Sequence, residues 1–190
     1  MRSAAYILPL LLAMAACGPG PSSIDLRDAH RLGPKGARVE LVVFSDFQCS
    51  FCKRAAREIR RIHTRYPGRV AIYFKHFPLT YHPQSIKAAM AAEAAALQGK
   101  FWEMHDLLYA NSGLLEDSIY PKLAAEIGLD VEKFEVDMGS FEVANKVAAD
   151  RAEGVAIKLD GTPFFIIDKR PFHGSYDELE DALFNSSWYR

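Results

Sequence analysis

Residues 39–52 read VELVVFSDFQCSFC, and this stretch determines which fold the chain is expected to adopt. Its first half is apolar and rich in valine, which is typical of a strand buried on both faces. Its second half contains two cysteines, Cys49 and Cys52, separated by two residues. Apolar side chains then recur at helical spacing up to Pro67, which predicts a helix over residues 50–66. The cysteine pair therefore lies where a buried strand meets the first turn of a helix.

The segments that follow extend this strand and helix into an α/β domain. Residues 70–77 alternate in hydrophobicity, which predicts a second strand, parallel to the first and joined to it by a right-handed crossover. Helical patterns then cover residues 84–97, 101–109, 120–127, 131–138 and 141–156. Beyond Gly161 the pattern predicts a strand over residues 164–167, a short strand around Phe172 and a helix over residues 177–184. This order is the topology of the thioredoxin fold with helices inserted in its middle.

The overall composition is that of one globular domain. The chain has 190 residues, of which 49% are hydrophobic, and its net charge of −1 gives no reason to expect a nucleic-acid partner. Residues 18–23 read GPGPSS and cannot pack, and residues 24–36 are polar and end in a turn signal. We therefore predict a tether and N-terminal loop over residues 17–36 and a folded domain over residues 37–190, with a helical insertion at about residues 81–159.

The first 16 residues have the pattern of a signal peptide. Arg2 precedes an uncharged apolar run over residues 4–16, which is shorter than the ~20 residues of a membrane-spanning helix. Cys17 follows in a pattern that is similar to the bacterial lipobox, with Met14 where that motif usually has leucine. We expect lipid on Cys17 and membrane attachment, and the alternative is ordinary cleavage at the Ala-Met-Ala sequence of residues 13–15. In both cases the protein is exported to the cell envelope, where disulfides persist.

The position of the pair at the start of a helix predicts thiol chemistry. The first amide groups of a helix lack partners within the helix, and the helix dipole adds positive charge at this end. A thiolate is stabilised there, so the pKa of Cys49 is expected to fall from about 8.5 toward roughly 3.5–7.5. Cys52 follows nearly one turn later, within reach of a disulfide with Cys49. We expect Cys49 to be the exposed nucleophile and Cys52 the more buried resolving thiol.

Two other roles are compatible with a Cys-x-x-Cys motif. A structural disulfide across four residues closes a very short loop and contributes only ~2 kcal/mol. A metal site that also used His76 and His82 would need ligands separated by a full helix and a strand, which exceeds the usual spacing in zinc fingers. We therefore predict a redox pair, with no metal ligands and no cofactor.

Four separated segments resemble the DsbA-like, thioredoxin-fold disulfide oxidoreductases of bacterial envelopes: FSDFQCSFC (residues 44–52), KHFPL…HP (75–83), QGKFWEMHDLLYAN (98–111) and GTPFF (161–165). The resemblance implies a thioredoxin core with an inserted helical subdomain. It also implies a cis bond between Thr162 and Pro163, which would face the cysteines. That loop would bind an extended substrate peptide through its backbone and help to keep metals off the thiols.

The resemblance further implies dithiol–disulfide exchange with the cysteines of exported proteins. We predict a thiol oxidase that a membrane redox partner reoxidises. A reductase, isomerase or dedicated thiol carrier is an alternative with the same site, and a non-catalytic metal-binding lipoprotein is a third hypothesis. The sequence departs from the family pattern at two positions that affect the redox potential. The family often has proline where this chain has Ser50 and an acidic residue where it has Val43. Asp46 is nearer to the pair, but the sequence does not show where its side chain points.

Overall fold

A five-stranded sheet forms the centre of the computed structural model, which describes Gly20 and residues 24–184. The strands are β1 (His30–Leu32), β2 (Val39–Ser45), β3 (Val70–His76), β4 (Phe164–Ile167) and β5 (Arg170–Phe172). Their order across the sheet is β1-β3-β2-β4-β5. β2 and β3 are parallel, whereas β1 lies antiparallel to β3, and β4 lies antiparallel to both β2 and β5. The strand that leads to the cysteine pair is therefore the central one.

The described part of the chain contains helices α1 (Ser50–Arg65), α2 (Ser85–Ala96), α3 (Phe101–Ala110), α4 (Tyr120–Glu126), α5 (Val131–Met138), α6 (Phe141–Ala156) and α7 (Leu179–Phe184). α1 connects the parallel strands β2 and β3, and α2 to α6 lie in sequence between β3 and β4. This arrangement confirms the predicted thioredoxin fold with an inserted helical subdomain. Within the described residues, no helix has both the length and the apolar character that crossing a membrane requires.

The N-terminal part of the domain differs from the prediction. We predict a loop before residue 37, whereas His30–Leu32 forms the edge strand β1 and pairs with β3. Ile24 and Leu26 also pack against the sheet, so the folded unit includes residues before 37. A strand of three residues is too short to show a hydrophobic alternation. Its pairing with a strand far away in sequence stabilises it, and local propensity does not reveal such a pairing.

Both faces of the sheet are buried, which is why β2 and β3 are almost continuously apolar. Leu41 and Val43 point into the larger core, which also contains buried residues of α1 and of the inserted helices. Val42 and Phe44 point the other way, into a smaller core with Ile166 of β4. Because packing on both faces restrains β2, the loop that follows it starts from a rigid strand.

A buried ion pair joins the inserted helices to the sheet. Nζ of Lys75 in β3 lies 3.0 Å from Oδ1 of Asp150 in α6, and the two side chains are only 4% and 2% exposed. Oδ2 of Asp150 accepts hydrogen bonds from the backbone N–H of His76 at 3.1 Å and from Nζ of Lys146 at 2.7 Å. Burial acts to lower the pKa of Lys75, but the carboxylates of Asp150 and Glu153 outweigh it and raise that pKa above its ordinary value. Lys75 therefore stays charged in the interior.

Candidate active site

The loop between β2 and α1 is held in place by the buried carboxylate of Asp46. Its Oδ1 accepts a hydrogen bond from the backbone N–H of Gln48 at 2.7 Å, and its Oδ2 accepts one from the backbone N–H of Leu79 at 2.8 Å. Nδ1 of His82 lies 3.0 Å from the same Oδ2. Asp46 thus links this loop to the loop after β3. These hydrogen bonds position Cys49 at the start of α1.

Cys49 is the N-cap residue of α1, with φ −73° and ψ 121°, and its carbonyl accepts a hydrogen bond from the N–H of Lys53 at 3.0 Å. No side chain caps this end of the helix, so its first amide groups are free to interact with a sulfur. Cys49 is 7% exposed and Cys52 is fully buried. An incoming thiol can therefore reach Cys49, whereas Cys52 is shielded.

The structure favours ionisation of Cys49. Its pKa is lowered from the ordinary 9.0 to about 5, chiefly because the thiol of Cys52 donates a hydrogen bond to the Cys49 sulfur. Burial opposes this shift, but the backbone N–H groups of Cys52 and Phe51 and the hydroxyl of Thr162 add to it. The Cys49 thiolate is therefore stabilised both by groups at the start of α1 and by Thr162, which lies in a loop far away in sequence.

Cys52 is affected in the opposite sense. Burial raises its pKa well above the ordinary value, and the nearby sulfur of Cys49 raises it further. The hydroxyls of Ser45 and Thr162 oppose this rise. The Ser45 hydroxyl is in turn hydrogen-bonded to that of Tyr109, with 2.6 Å between Oγ and the phenolic oxygen. The pair thus consists of one sulfur that ionises easily and one that holds its proton.

Sequence reasoning missed the pairing of Ser45 with Tyr109. Ser45 ends β2, and Tyr109 lies in α3, within one of the segments that carry the family resemblance. Asp46, which is nearer to the cysteine pair than the usual acidic position at Val43, binds backbone amides and His82 as described above. The groups that oppose the rise in the pKa of Cys52 are accordingly hydroxyls.

The loop before β4 packs against Cys49. The Thr162–Pro163 bond is cis, as the resemblance implies. Sγ of Cys49 lies 3.4 Å from the carbonyl oxygen of Thr162, to which the protonated thiol donates a hydrogen bond. The structure therefore brings together Cys49, Cys52 and Thr162, which the sequence places in two separate segments.

An apolar and basic surface lies beside the pair. The side chain of Phe51 is 55% exposed, and the guanidinium of Arg54 lies 4.6 Å from the centre of its ring. A cleft of about 310 Å³ between α1 and α3 is lined in part by Lys53 and Arg57. Nζ of Lys53 donates a hydrogen bond to the carbonyl of Ala110 at 3.1 Å, so this lysine binds the end of α3.

The two histidines of the metal hypothesis have other partners. Nε2 of His76 lies 2.7 Å from the carboxylate of Glu93, and His82 binds Asp46. The only group of potential metal-binding side chains found within the described residues contains His76 but neither cysteine. Cys17 and the predicted signal peptide lie outside the described residues.

A family model described as Thioredoxin matches residues 26–184, and the chain belongs to this family. Among solved structures it is similar to a thioredoxin-like oxidoreductase from Silicibacter pomeroyi, with 29% identity, a TM-score of 0.72, and 84% of this chain and 92% of that chain covered. It is also similar to α-DsbA2, a thiol-disulfide exchange protein of Wolbachia pipientis, with 22% identity, a TM-score of 0.73, and 82% and 85% covered. BdbD from Bacillus subtilis, at 21% identity, a TM-score of 0.73, and 84% and 92% covered, has the same fold. The resemblance to DsbA-like proteins is therefore confirmed at the level of the fold.

The curated relatives are much longer than this chain. The Na(+)/H(+) antiporter NhaA 3 of Salinispora tropica is 36% identical in an alignment of 184 residues that covers 93% of this chain and 28% of the antiporter. The antiporter NhaA of Herminiimonas arsenicoxydans is 36% identical over 154 residues, or 81% of this chain and 24% of that protein. The chain thus spans about a quarter of the length of these relatives.

Proposed function

We propose that this protein is a thiol–disulfide oxidoreductase that oxidises cysteine pairs in exported proteins. The observation that carries this proposal is the position of Cys49 at the N-cap of α1, where the Cys52 thiol and the backbone N–H groups of Phe51 and Cys52 stabilise its thiolate and lower its pKa to about 5. The interactions that stabilise the Cys49 thiolate exist only in the reduced protein, because a disulfide carries no charge. They favour reduction of the Cys49–Cys52 disulfide, and a disulfide that is easily reduced is a good oxidant of other thiols.

In the proposed reaction a substrate thiolate attacks Sγ of Cys49 in the oxidised protein. The Cys49–Cys52 bond breaks, a mixed disulfide forms with Cys49, and Cys52 leaves as a thiolate that takes up a proton. The second substrate thiolate then attacks the substrate sulfur of the mixed disulfide. The substrate disulfide forms and Cys49 leaves as a stabilised thiolate. Two electrons pass from the substrate to the pair, and a membrane redox partner then removes them.

The surroundings of Cys49 support this order of attack. Cys49 is 7% exposed and Cys52 is fully buried, so the substrate sulfur meets Cys49 first. The backbone of Thr162 adjoins the Cys49 sulfur, and we propose that residues 161–163 bind an extended substrate segment there. The exposed ring of Phe51 supplies an apolar surface beside it. Proteins with cysteines in unfolded or extended segments are the substrate class that such a surface fits.

The reduction potential of the pair tests the direction of the reaction. The protein is equilibrated in glutathione buffers of known ratio, and the reduced fraction is measured by alkylation and mass spectrometry. We expect a potential above about −250 mV, because the stabilised thiolate favours the reduced form. A value below about −250 mV would contradict the oxidase proposal and favour the reductase.

We also propose that the domain works at a membrane surface in the cell envelope, held by lipid on Cys17. The lipobox-like residues before Cys17 support this location, as does the likeness to part of longer membrane antiporters. When the full-length gene is expressed in a bacterium, the mature chain is expected to begin at Cys17 and to carry the added mass of a lipid. The Cys17→Ser variant should lack that mass. A mature chain that begins at Ala16 without lipid would refute the anchor.

A further inference from the structure

A second cluster of ionisable side chains joins three elements of the fold. His30 lies in β1, His76 ends β3 and Glu93 lies in α2. Nε2 of His30 is 2.8 Å from Oε1 of Glu93, and Nε2 of His76 is 2.7 Å from the same oxygen. The three side chains can bring one ligand atom each within 4.8 Å of one another. The redox reaction proposed above uses none of them.

The cluster lies in a largely apolar setting. The side chains of His76 and Glu93 are 1% and 7% exposed, and that of His30 is 19% exposed. The ring of Phe101 stacks on His30 with 3.6 Å between ring centres, and Phe74 packs edge-on to His76 at 5.2 Å. His30 is therefore the most exposed of the three side chains.

Glu93 is held in this setting by its two histidine partners. Its Oε1 lies within hydrogen-bond distance of Nε2 of both His30 and His76. A buried carboxylate is costly unless hydrogen bonds and a positive charge compensate for lost hydration. Two imidazole nitrogens and one carboxylate oxygen are also a ligand set that accommodates a divalent cation when the imidazoles are deprotonated at the bonding nitrogen.

We propose that His30, His76 and Glu93 bind one Zn²⁺ ion, with a water molecule as the fourth ligand. Zinc accepts mixed nitrogen and oxygen ligands in a tetrahedron, whereas calcium and magnesium require six or more oxygen ligands or retain several waters. The partial exposure of His30 provides an entry path and room for the water. Two histidines and one glutamate, with an open fourth position, match the ligand number of three-ligand zinc sites.

The distances between the ligand atoms indicate how the cluster must adjust to bind zinc. With zinc–ligand bonds of about 2.0–2.1 Å, ligand atoms in a tetrahedron are about 3.3 Å apart. The present distances of 2.7 and 2.8 Å are those of hydrogen bonds, so the imidazoles must move outward by a few tenths of an ångström. The ion displaces the Nε2 protons that now bridge to Oε1: each bound imidazole is neutral and keeps one proton on Nδ1, and any proton in excess leaves to solvent. Zinc would then fasten the short edge strand β1 to β3 and to α2.

The test uses the full mature chain with all three cysteines replaced by serine, so that thiols cannot bind the metal. Zinc is titrated against a chromogenic chelator at neutral pH, and the expected result is one equivalent bound with a micromolar or lower Kd. Saturating zinc should also raise the Tm, because the ion binds the folded chain in preference to the unfolded one. His30→Asn and Glu93→Gln should each weaken binding by a factor of about 10 or more. His173→Asn, at an exposed histidine, is the matched control and should leave the Kd unchanged.

A second measurement needs no substitution at the site. On addition of one equivalent of zinc, the imidazole NMR signals of His30 and His76 should shift while those of His173 do not. No bound zinc, binding that His30→Asn leaves unchanged in the folded variant, or shifts confined to other histidines would each overturn the proposal. Because the cysteine-free chain cannot exchange disulfides, these outcomes are independent of the proposed redox function.

Discussion

Replacement of Cys49 by serine is expected to lower the rate of disulfide exchange with a cysteine-containing peptide by a factor of about 10³ or more. A serine hydroxyl cannot form a disulfide, and it does not ionise near neutral pH. Cys52→Ser keeps the nucleophile but removes the resolving thiol. When the peptide is supplied as a dimer joined by an intermolecular disulfide, the Cys49 thiolate should displace one peptide as a thiol, and the mixed disulfide between Cys49 and the other peptide should accumulate. Both results are measured by following the peptide and protein masses over time.

Cys17→Ser is the matched control for this pair of substitutions. It replaces a cysteine to which the proposed reaction assigns no role, and in the purified mature chain, assayed with a soluble peptide, the exchange rate should stay within about twofold of the parent rate. If Cys49→Ser exchanged at the parent rate, or if Cys52→Ser trapped no mixed disulfide, the assignment of Cys49 as nucleophile would be wrong.

The pH dependence of Cys49 alkylation follows from the same assignment. A thiol with a pKa of about 5 stays ionised where an ordinary thiol is protonated, so the rate of reaction with iodoacetamide should reach half its maximum at about pH 5. The lowered pKa also stabilises the folded reduced protein above the unfolded pKa. This contribution declines as the pH falls from there and is lost below about 5. A midpoint above about 8 would show that Cys49 is an ordinary thiol.

Replacement of Asp150 by alanine is expected to lower the free energy of unfolding by about 3 kcal/mol or more. The substitution leaves Lys75 charged in the interior, and the backbone N–H of His76 loses its acceptor. Glu153 compensates in part, because one of its oxygens lies 2.8 Å from Nζ of Lys75. Urea denaturation of the oxidised protein, monitored by far-ultraviolet circular dichroism, gives the free-energy difference.

The exposed ion pair between Lys87 and Asp117 provides the matched control. The two side chains are 48% and 67% exposed, so solvent screens their attraction. Asp117→Ala should therefore change the free energy of unfolding by less than about 1 kcal/mol. A loss in Asp150→Ala no larger than that in Asp117→Ala would show that the buried pair contributes little to stability.

Local signals in the sequence were sufficient to predict most of the helices and strands. α5 and α6 begin and end at the predicted residues, and their beginnings are fixed by the side chains of Asp130 and Ser140, which accept hydrogen bonds from the first turns that follow them. β2 was recognisable because both of its faces are apolar. β1 was not, because three residues carry no periodicity and its hydrogen-bond partners lie in β3.

The candidate site likewise has features that local sequence predicts and features that depend on contacts across the fold. The position of Cys49 at the N-terminus of α1 follows from the motif and the strand before it, both of which are local. The contact between Ser45 and Tyr109 joins residues from β2 and α3, and the packing of Thr162 against Cys49 joins the two ends of the domain. Contacts between residues that are far apart in sequence do not affect the spacing of hydrophobic residues, so they could not be predicted from the hydrophobic pattern alone.

By itself, the sequence determined the order of the strands and helices from β2 onward and placed two cysteines at the start of a helix, because hydrophobic periodicity and helix termini are properties of neighbouring residues. The sequence also indicated which cysteine ionises, but only the tertiary structure decided which distant groups act on the two thiols, since burial and the hydroxyls of Ser45 and Thr162 act across the fold. It also decided that His76 faces Glu93 and not the cysteines. Electrostatic environments depend on distance in space, and folding brings together residues that are far apart in the chain.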